Sequence, residues 1–268
     1  MIINERENNL ELSVGFQEYI IDIDTDVVLN INATRASQVL LRVKKANTVN
    51  INSVVKDGSN TTLLVLNESD SFINFIENHI VNENSNLNIA YGDLNGADLK
   101  RNCKIDLVGK GATTLLKSAT LCKNKKHYTL EVCSKVPYTK ANIENYSVVL
   151  TNGNYKMDAT GRIDRGAYKS ESHQTSRALA FSEKQISTII PNLMIDENDV
   201  MASHATSLGR VDENQMVYMQ SRGLTVNQVM QLISTGYLLP IADFIDNEDL
   251  RNTLRNDIES MVSKECSM

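Results

Sequence analysis

The chain of 268 residues has no tryptophan, three prolines and only 5% aromatic residues. Its apolar load therefore falls on Val, Ile and Leu, whose side chains suit the pleated, half-buried surface of a strand. Hydrophobic residues still make up 41% of the sequence. That excludes a disordered chain and suits one large domain, or one domain with a small appendage. No uninterrupted apolar stretch approaches the roughly 20 residues that span a bilayer. The start, Met1-Ile2-Ile3-Asn4-Glu5-Arg6-Glu7, has neither the basic nor the apolar region of a secretory signal. These absences predict a cytoplasmic protein that does not engage a membrane. Positive charge is scarce as well. The formal net charge is −6, which argues against a generic nucleic-acid binder. The basic run Lys123-Asn124-Lys125-Lys126 reads as a solvated turn.

Cysteine is sparse. Cys103, Cys122, Cys133 and Cys266 form no C-x-x-C pair, so a zinc ribbon or a thioredoxin-type site is not expected. In a reducing compartment they are free thiols, and a single Cys within a strand is first of all a small buried hydrophobe. Cys266 falls in a tail expected to fray. Ser, His and Asp are all present without a nucleophile elbow. Gly109-Lys110-Gly111 is too short for a Walker A loop. No catalytic residue stands out, and the protein is not expected to be an enzyme. His79, His127 and His173 lie in polar surroundings and read as surface residues.

What is present, up to about residue 220, is strand after strand. Tyr19-Ile20-Ile21-Asp22-Ile23, Val39-Leu40-Leu41-Arg42-Val43, Thr62-Leu63-Leu64-Val65-Leu66 and Tyr128-Thr129-Leu130-Glu131-Val132 are typical runs. Several alternate with the period of two expected of a strand with one buried face. This spacing fits a sandwich, a barrel or a β-solenoid. Asp57-Gly58 and Asn95-Gly96 fit tight hairpins. Most other breaks are filled by Asn, Asp, Ser and Lys, which mildly favours the wider bends of a solenoid.

The C-terminal end changes character. Thr225 with Gln228 forms a capping box, and Val226, Val229, Met230 and Ile233 repeat at helical spacing up to a stop expected at Gly236. Pro240 opens a second short helix through Phe244. Asn247 caps a third helix, acidic in its first turn, with Leu250, Leu254, Ile258 and Met261 on one stripe. That stripe is either core or a docking face.

One ordered run is specific. Pro191-Asn192-Leu193-Met194-Ile195 leads through Asp199-Val200 to Ser203-His204-Ala205-Thr206. Asp212, Tyr218 and Ser221-Arg222-Gly223 follow before the capped helix. This run resembles the C-terminal signature of the SufB/SufD proteins of iron–sulfur cluster assembly. Val136-Pro137-Tyr138, Gly161-Arg162-Ile163-Asp164 and Ser176-Arg177-Ala178-Leu179 resemble segments of that family's β-rich core. Residues 1 to about 100 carry no motif that aligns. The resemblance implies a right-handed parallel β-helix over residues 1–222. It implies a helical C-terminal subdomain over 223–268 that docks an ABC-type ATPase of the SufC kind. It also implies dimerisation near the histidine motif and a transient iron–sulfur cluster of unspecified type as cargo. The short chain implies a minimal member lacking the N-terminal region of its relatives.

The resemblance places His204 on the family's histidine, a candidate iron or cluster ligand. Ala202 stands where SufD relatives often carry Cys, and Ala205 where SufB relatives carry Glu. No Cys lies near Gln185, where a SufB-type thiol is expected. Cys133, just before the Val136-Pro137 segment, is the best remaining ligand or sulfur acceptor. Asp212 and Glu213 either cap the following helix or stand as supporting carboxylates near His204. The expected function is therefore a non-enzymatic assembly scaffold working with a SufC-type ATPase as a homodimer. The alternatives are a SufD-like, non-ligating adaptor in a heterodimer and a β-solenoid enzyme acting on polysaccharide.

Overall fold

A computed structural model describes residues 1–266. In chain order the strands are β1 (Ile2–Ile3), β2 (Glu7–Leu12), β3 (Gly15–Asp22), β4 (Val27–Ala33), β5 (Ser37–Lys45), β6 (Thr48–Val55), β7 (Asn60–Asn67), β8 (Ile73–Val81), β9 (Asn86–Asp93), β10 (Leu99–Leu107), β11 (Thr113–Cys122), β12 (Lys125–Ser134), β13 (Lys140–Val149), β14 (Asn154–Ile163), β15 (Glu171–Ala180), β16 (Ile186–Ile195) and β17 (Met201–Arg210). Odd strands form a nine-stranded sheet and even strands an eight-stranded one, each in chain order. Every pairing is parallel, as between Leu116 and Ile143 or Ile105 and Val132. The chain thus winds as a β-solenoid with two strands per turn, the parallel β-helix that the resemblance implies. No strand pairs with its sequence neighbour, so Asp57-Gly58 and Asn95-Gly96 turn corners between sheets instead of closing hairpins.

The corners explain the scarcity of glycine. Left-handed backbone recurs at six of the corners where the chain passes from the eight-stranded to the nine-stranded sheet: Gly15, Gly58, Asn84, Gly111, Tyr138 and Lys169. Five of these donate their N–H to a carbonyl one turn further on: Gly15 to Ala36, Gly58 to Glu83, Asn84 to Lys110, Tyr138 to Tyr168 and Lys169 to Asp199. Stacking of this kind steadies the non-glycine residues in a conformation they rarely adopt. Gly109 serves another need, because a Cβ there would run into the backbone of Asn82 and Glu83. Gly109-Lys110-Gly111 is therefore a packed corner.

Inward residues of both sheets form one core, including Ile21, Leu29, Ile51, Phe75, Ile89, Leu116, Ile143 and Tyr155. The nine-stranded sheet is also buried on its outer face, which is why Leu63-Leu64-Val65-Leu66 is apolar without alternation. There the outward Leu40, Leu64, Leu66, Ala90, Ala119 and Val148 meet the C-terminal helices.

The last strand ends at Arg210, and helix begins at Glu213, ahead of the boundary expected at residue 223: α1 (Glu213–Ser221), α2 (Val226–Leu238) and α3 (Glu248–Cys266), with a 3-10 turn at Leu239–Phe244. Asp212 caps α1, accepting from the Asn214 N–H at 2.8 Å. The Thr225–Gln228 capping box is formed, Pro240 opens the 3-10 turn, and Asn247 accepts from the Leu250 N–H at 3.0 Å. Gly236 does not stop α2, which runs on to Leu238 and passes directly into the 3-10 turn. The α3 stripe is core: Leu254, Ile258, Val262 and Cys266 are buried against the solenoid. Cys266 therefore does not fray; its Sγ lies 3.9 Å from the Ser234 hydroxyl. Arg42 clamps the two parts together. It contacts Glu18 at 2.8 Å, Glu68, and Asp257 of α3 at 2.6 Å.

Candidate functional site

β16 and β17 form the final turn and leave one edge of each sheet open. Pro191, which has no N–H to give to a ladder, sits on the edge strand β16, where it is tolerated. His204 lies on β17, exposed along its whole length. Its register partner is Gln174, which is buried. Gln174 in turn follows Ile89, Leu116 and Ile143 along one inward row. His204 thus continues an interior row past the point where the interior is closed. Gln174 spends its amide N–H on the Asn192 carbonyl at 2.8 Å, and its own Oε1 finds no partner among the described residues. Ala202 and Ala205 flank His204 and offer no ligand atom.

Cys133 lies elsewhere. Its neighbours Val132 and Leu130 belong to different rows: both are inward core residues, and alternation turns Cys133 to the outer face of the eight-stranded sheet. Its register partners are Asp106 and Arg162. The surrounding side chains leave it only 2% exposed. Its Sγ donates to Asp164 Oδ2 at 3.5 Å. Burial, reinforced by the Asp164 charge, pushes the thiol up to about 12, so sulfur is held as the weakly nucleophilic thiol. His204 and Cys133 therefore stand on different sheets and on opposite faces, and the fold does not bring them together within one chain. Cys122 is buried too, its thiol raised by burial to about 11.

A buried network of titratable residues in the interior is one that sequence reasoning missed. His79 is fully buried, not at the surface, and Lys126 is buried rather than part of a solvated turn. Arg101 stacks between Phe75 and Tyr91, 3.8 and 3.9 Å from their ring centres. It bonds Glu77 with one nitrogen and Asp93 with another at 3.0 Å. Tyr91 donates to Glu77 at 2.9 Å, Tyr128 to Asp93 at 3.0 Å, and Lys126 to the Asp93 carbonyl at 2.7 Å. Burial alone raises the Glu77 carboxyl, but Arg101, with His79 and Tyr91, more than offsets it and holds it below its usual value. Burial brings Lys126 down to about 8 against the pull of Asp93. A signal for this group does exist in the sequence. In Ile73-Asn74-Phe75-Ile76-Glu77-Asn78-His79-Ile80-Val81, alternation places Glu77 and His79 on the face of Phe75. His127 and His173 do lie toward the surface.

Among the described residues no helix is long and apolar enough to cross a membrane. Comparison with known proteins gives a consistent picture. SufD, an iron–sulfur cluster assembly protein of Bacillus subtilis, is 29% identical over 180 residues, which are 66% of this chain and 41% of that protein. The chloroplastic protein ABCI7 of Arabidopsis thaliana is 23% identical over 168 residues, 61% of this chain and 35% of that protein. SufD of Escherichia coli is 24% identical over 166 residues, 59% and 38% respectively. The chain thus spans less than half the length of these relatives. The family described as SUF system FeS cluster assembly, SufBD core domain, matches residues 5–237. That match reaches back through β2 to β9, where the sequence alone offered no motif. A parallel β-solenoid closed by the Pro191–Tyr237 run, matched over most of its length, makes the chain a member of the SufBD core family of iron–sulfur cluster assembly proteins.

Proposed function

We propose that the protein is a non-enzymatic scaffold component of iron–sulfur cluster assembly in the cytoplasm, paired as a homodimer and driven by a SufC-type ABC ATPase. The observation that carries this reading is the final turn. β16 and β17 present two unpaired sheet edges, a ready template for another chain. Ile186, Met194, Met201 and Leu208 are exposed around them. His204 stands in the same turn, so two copies joined there bring two imidazoles to one interface. Imidazole holds iron more weakly than thiolate does, which suits a site that must release its cargo. The ATPase would dock on the helical end, where α1 buries none of its side chains and exposes Val217 and Tyr218.

A second reading is favoured by the thiols. All four are buried, and Cys133 is held protonated. A chain with this inventory also serves as the SufD-like, non-ligating half of a heterodimer. No observation favours the carbohydrate-active alternative. Co-expression with a SufC-type ATPase, followed by co-purification and anaerobic reconstitution with iron and sulfide, tests both. Cluster absorbance that disappears in His204→Ala supports the scaffold; ATPase binding without any cluster selects the adaptor. Loss of both refutes the proposal.

A further inference from the structure

We propose that the solenoid interior holds a structural transition-metal site, formed by Glu77 and His79 of β8 and Cys103 of β10, that takes one divalent ion of the zinc class. One ligand atom from each residue lies within 4.8 Å of the other two, and all three residues are buried. Carboxylate, imidazole and thiolate together are the donor set of zinc, cobalt and ferrous ions. The ligands sit on rigid elements. Cys103 is the direct register partner of Glu77, and His79 follows two residues later on the same inward face.

The independent observation is His79 itself. Its Nδ1 pairs with the Ser53 hydroxyl at 2.7 Å. Among the described residues its Nε2 has no hydrogen-bond partner although the side chain is fully buried; it meets Glu77 Oε2 only at an ion-pair distance of 3.5 Å. A buried ring nitrogen without a hydrogen bond is costly to leave so, and metal-bound histidines characteristically spend their other nitrogen on a hydrogen-bonding partner. The second carboxylate oxygen of Glu77 is held by Arg101, which fixes the plane of the carboxylate, and Oε2 keeps a second lone pair for a cation. Oε2 also accepts from the Tyr91 hydroxyl at 2.9 Å, which orients the carboxylate further.

Charge can be conserved. Without metal, Glu77 and Asp93 balance Arg101 and Lys126. Entry of a dication releases the Cys103 thiol proton and one proton from Lys126, leaving metal–thiolate, neutral amine and two protons in solvent. Burial already brings Lys126 down to about 8, and a coordinated thiol loses its proton outright. Because the ligands are sealed inside the core, the ion enters while the chain folds. This separates the site from any cluster carried as cargo, and its test does not depend on the function proposed above.

The test is to refold the full chain anaerobically with Co2+, remove free ion by desalting, and record the spectrum. We expect about one cobalt per chain, tetrahedral d–d bands and a sulfur-to-cobalt charge-transfer band. Cys266→Ser keeps both features, Cys103→Ser loses the charge-transfer band, and His79→Gln binds at least about tenfold more weakly. Failure of the wild-type chain to retain cobalt overturns the proposal, as does a charge-transfer band that survives Cys103→Ser or vanishes in Cys266→Ser. If Cys103→Ser does not refold, X-ray absorption of the zinc-loaded wild type decides. One sulfur at about 2.3 Å with nitrogen and oxygen at about 2.0–2.2 Å supports the site; a shell without sulfur, or with several sulfurs, refutes it.

Discussion

The Cys133 thiol donates to Asp164 across 3.5 Å, and Arg162 Nε holds the other oxygen of the same carboxylate at 2.7 Å. Burial and the Asp164 charge together keep the sulfur protonated. Burial first, and the carboxylate second, therefore oppose chemistry at Cys133. Asp164→Asn should lower the thiol's titration point and speed its alkylation by iodoacetamide at pH 8 several-fold, because the reactive thiolate fraction grows as the neighbouring negative charge is removed. Peptide mapping of the alkylated protein measures the rate at Cys133 directly. Equal rates in wild type and variant would show that burial alone controls the sulfur.

His204 makes the opposite prediction. Its strand is exposed throughout, so His204→Ala should move the unfolding free energy by no more than about 0.5 kcal/mol, as surface substitutions do. Cluster yield on anaerobic reconstitution should nonetheless fall sharply if two such imidazoles meet at the paired edges. Urea titration and absorbance on the same preparation separate the two effects.

Lys126 makes stability depend on pH. Its ordinary value is 10.5, and burial lowers it to about 8 in the folded protein. Below pH 8 both folded and unfolded chains carry the proton, and the folded state bears the full cost of a buried ammonium. Between about 8 and 10.5 the unfolded chain binds more protons, so this group's contribution to stability rises with pH. Asp93, Cys122, Glu265 and Arg101 set its field. Cys103 opposes it, because burial and Glu77 keep its thiol protonated in the folded state well above the usual range. The comparison with Lys126→Met isolates the lysine. The difference in unfolding free energy, wild type minus variant, should climb by up to about 1.4 kcal/mol per pH unit in that window. Urea midpoints at pH 7.5, 8.5 and 9.5 measure it.

The strands, capping box and final-turn motif are legible in the sequence because each is written locally: alternation in β8, Thr225 with Gln228, Pro191 through Tyr237. The solenoid period is not. Contacts one turn apart span 26 residues between Asn60 and Asn86, 27 between Thr114 and Leu87, and 31 between Thr139 and Ser170. Insertions at the corners blur a repeat that the backbone keeps. His79 and Lys126 escape sequence reasoning for a related reason. Polar residues on an inward row look like surface residues until partners from other turns are seen: Ser53 for His79 and Asp93 for Lys126. Cys133 reads as a strand thiol and is one, but its pairing with Asp164 joins two turns of the solenoid and leaves no local trace.

Arg101 tests how that interior network is held. It neutralises Glu77 and Asp93 with no solvent near any of them. Arg101→Met keeps an apolar stem between Phe75 and Tyr91 yet strands two carboxylates, and should cost about 3–5 kcal/mol. Adding Glu77→Gln removes one stranded charge and should recover part of that loss, so the two substitutions will not add. Equilibrium unfolding of the single and double variants supplies the cycle.

The C-terminal helices offer a final distinction, between holding the fold and holding a partner. Ile258 is fully buried on α3, packed in the second core with Leu64, Leu66 and Leu121 of the outer sheet face. Ile258→Ala should cost about 2–5 kcal/mol and raise amide hydrogen exchange in α3 before the solenoid opens, since helices at a chain end are the first units to detach. Val217 on α1 and Leu232 on α2 are 65% and 57% exposed. Val217→Asp and Leu232→Asp should leave stability nearly unchanged while abolishing co-purification with a SufC-type ATPase. Hydrogen exchange and affinity capture on the three variants give the answer. If the exposed pair keeps the ATPase bound and only Ile258→Ala releases it, the helices support the fold, and docking falls to another surface.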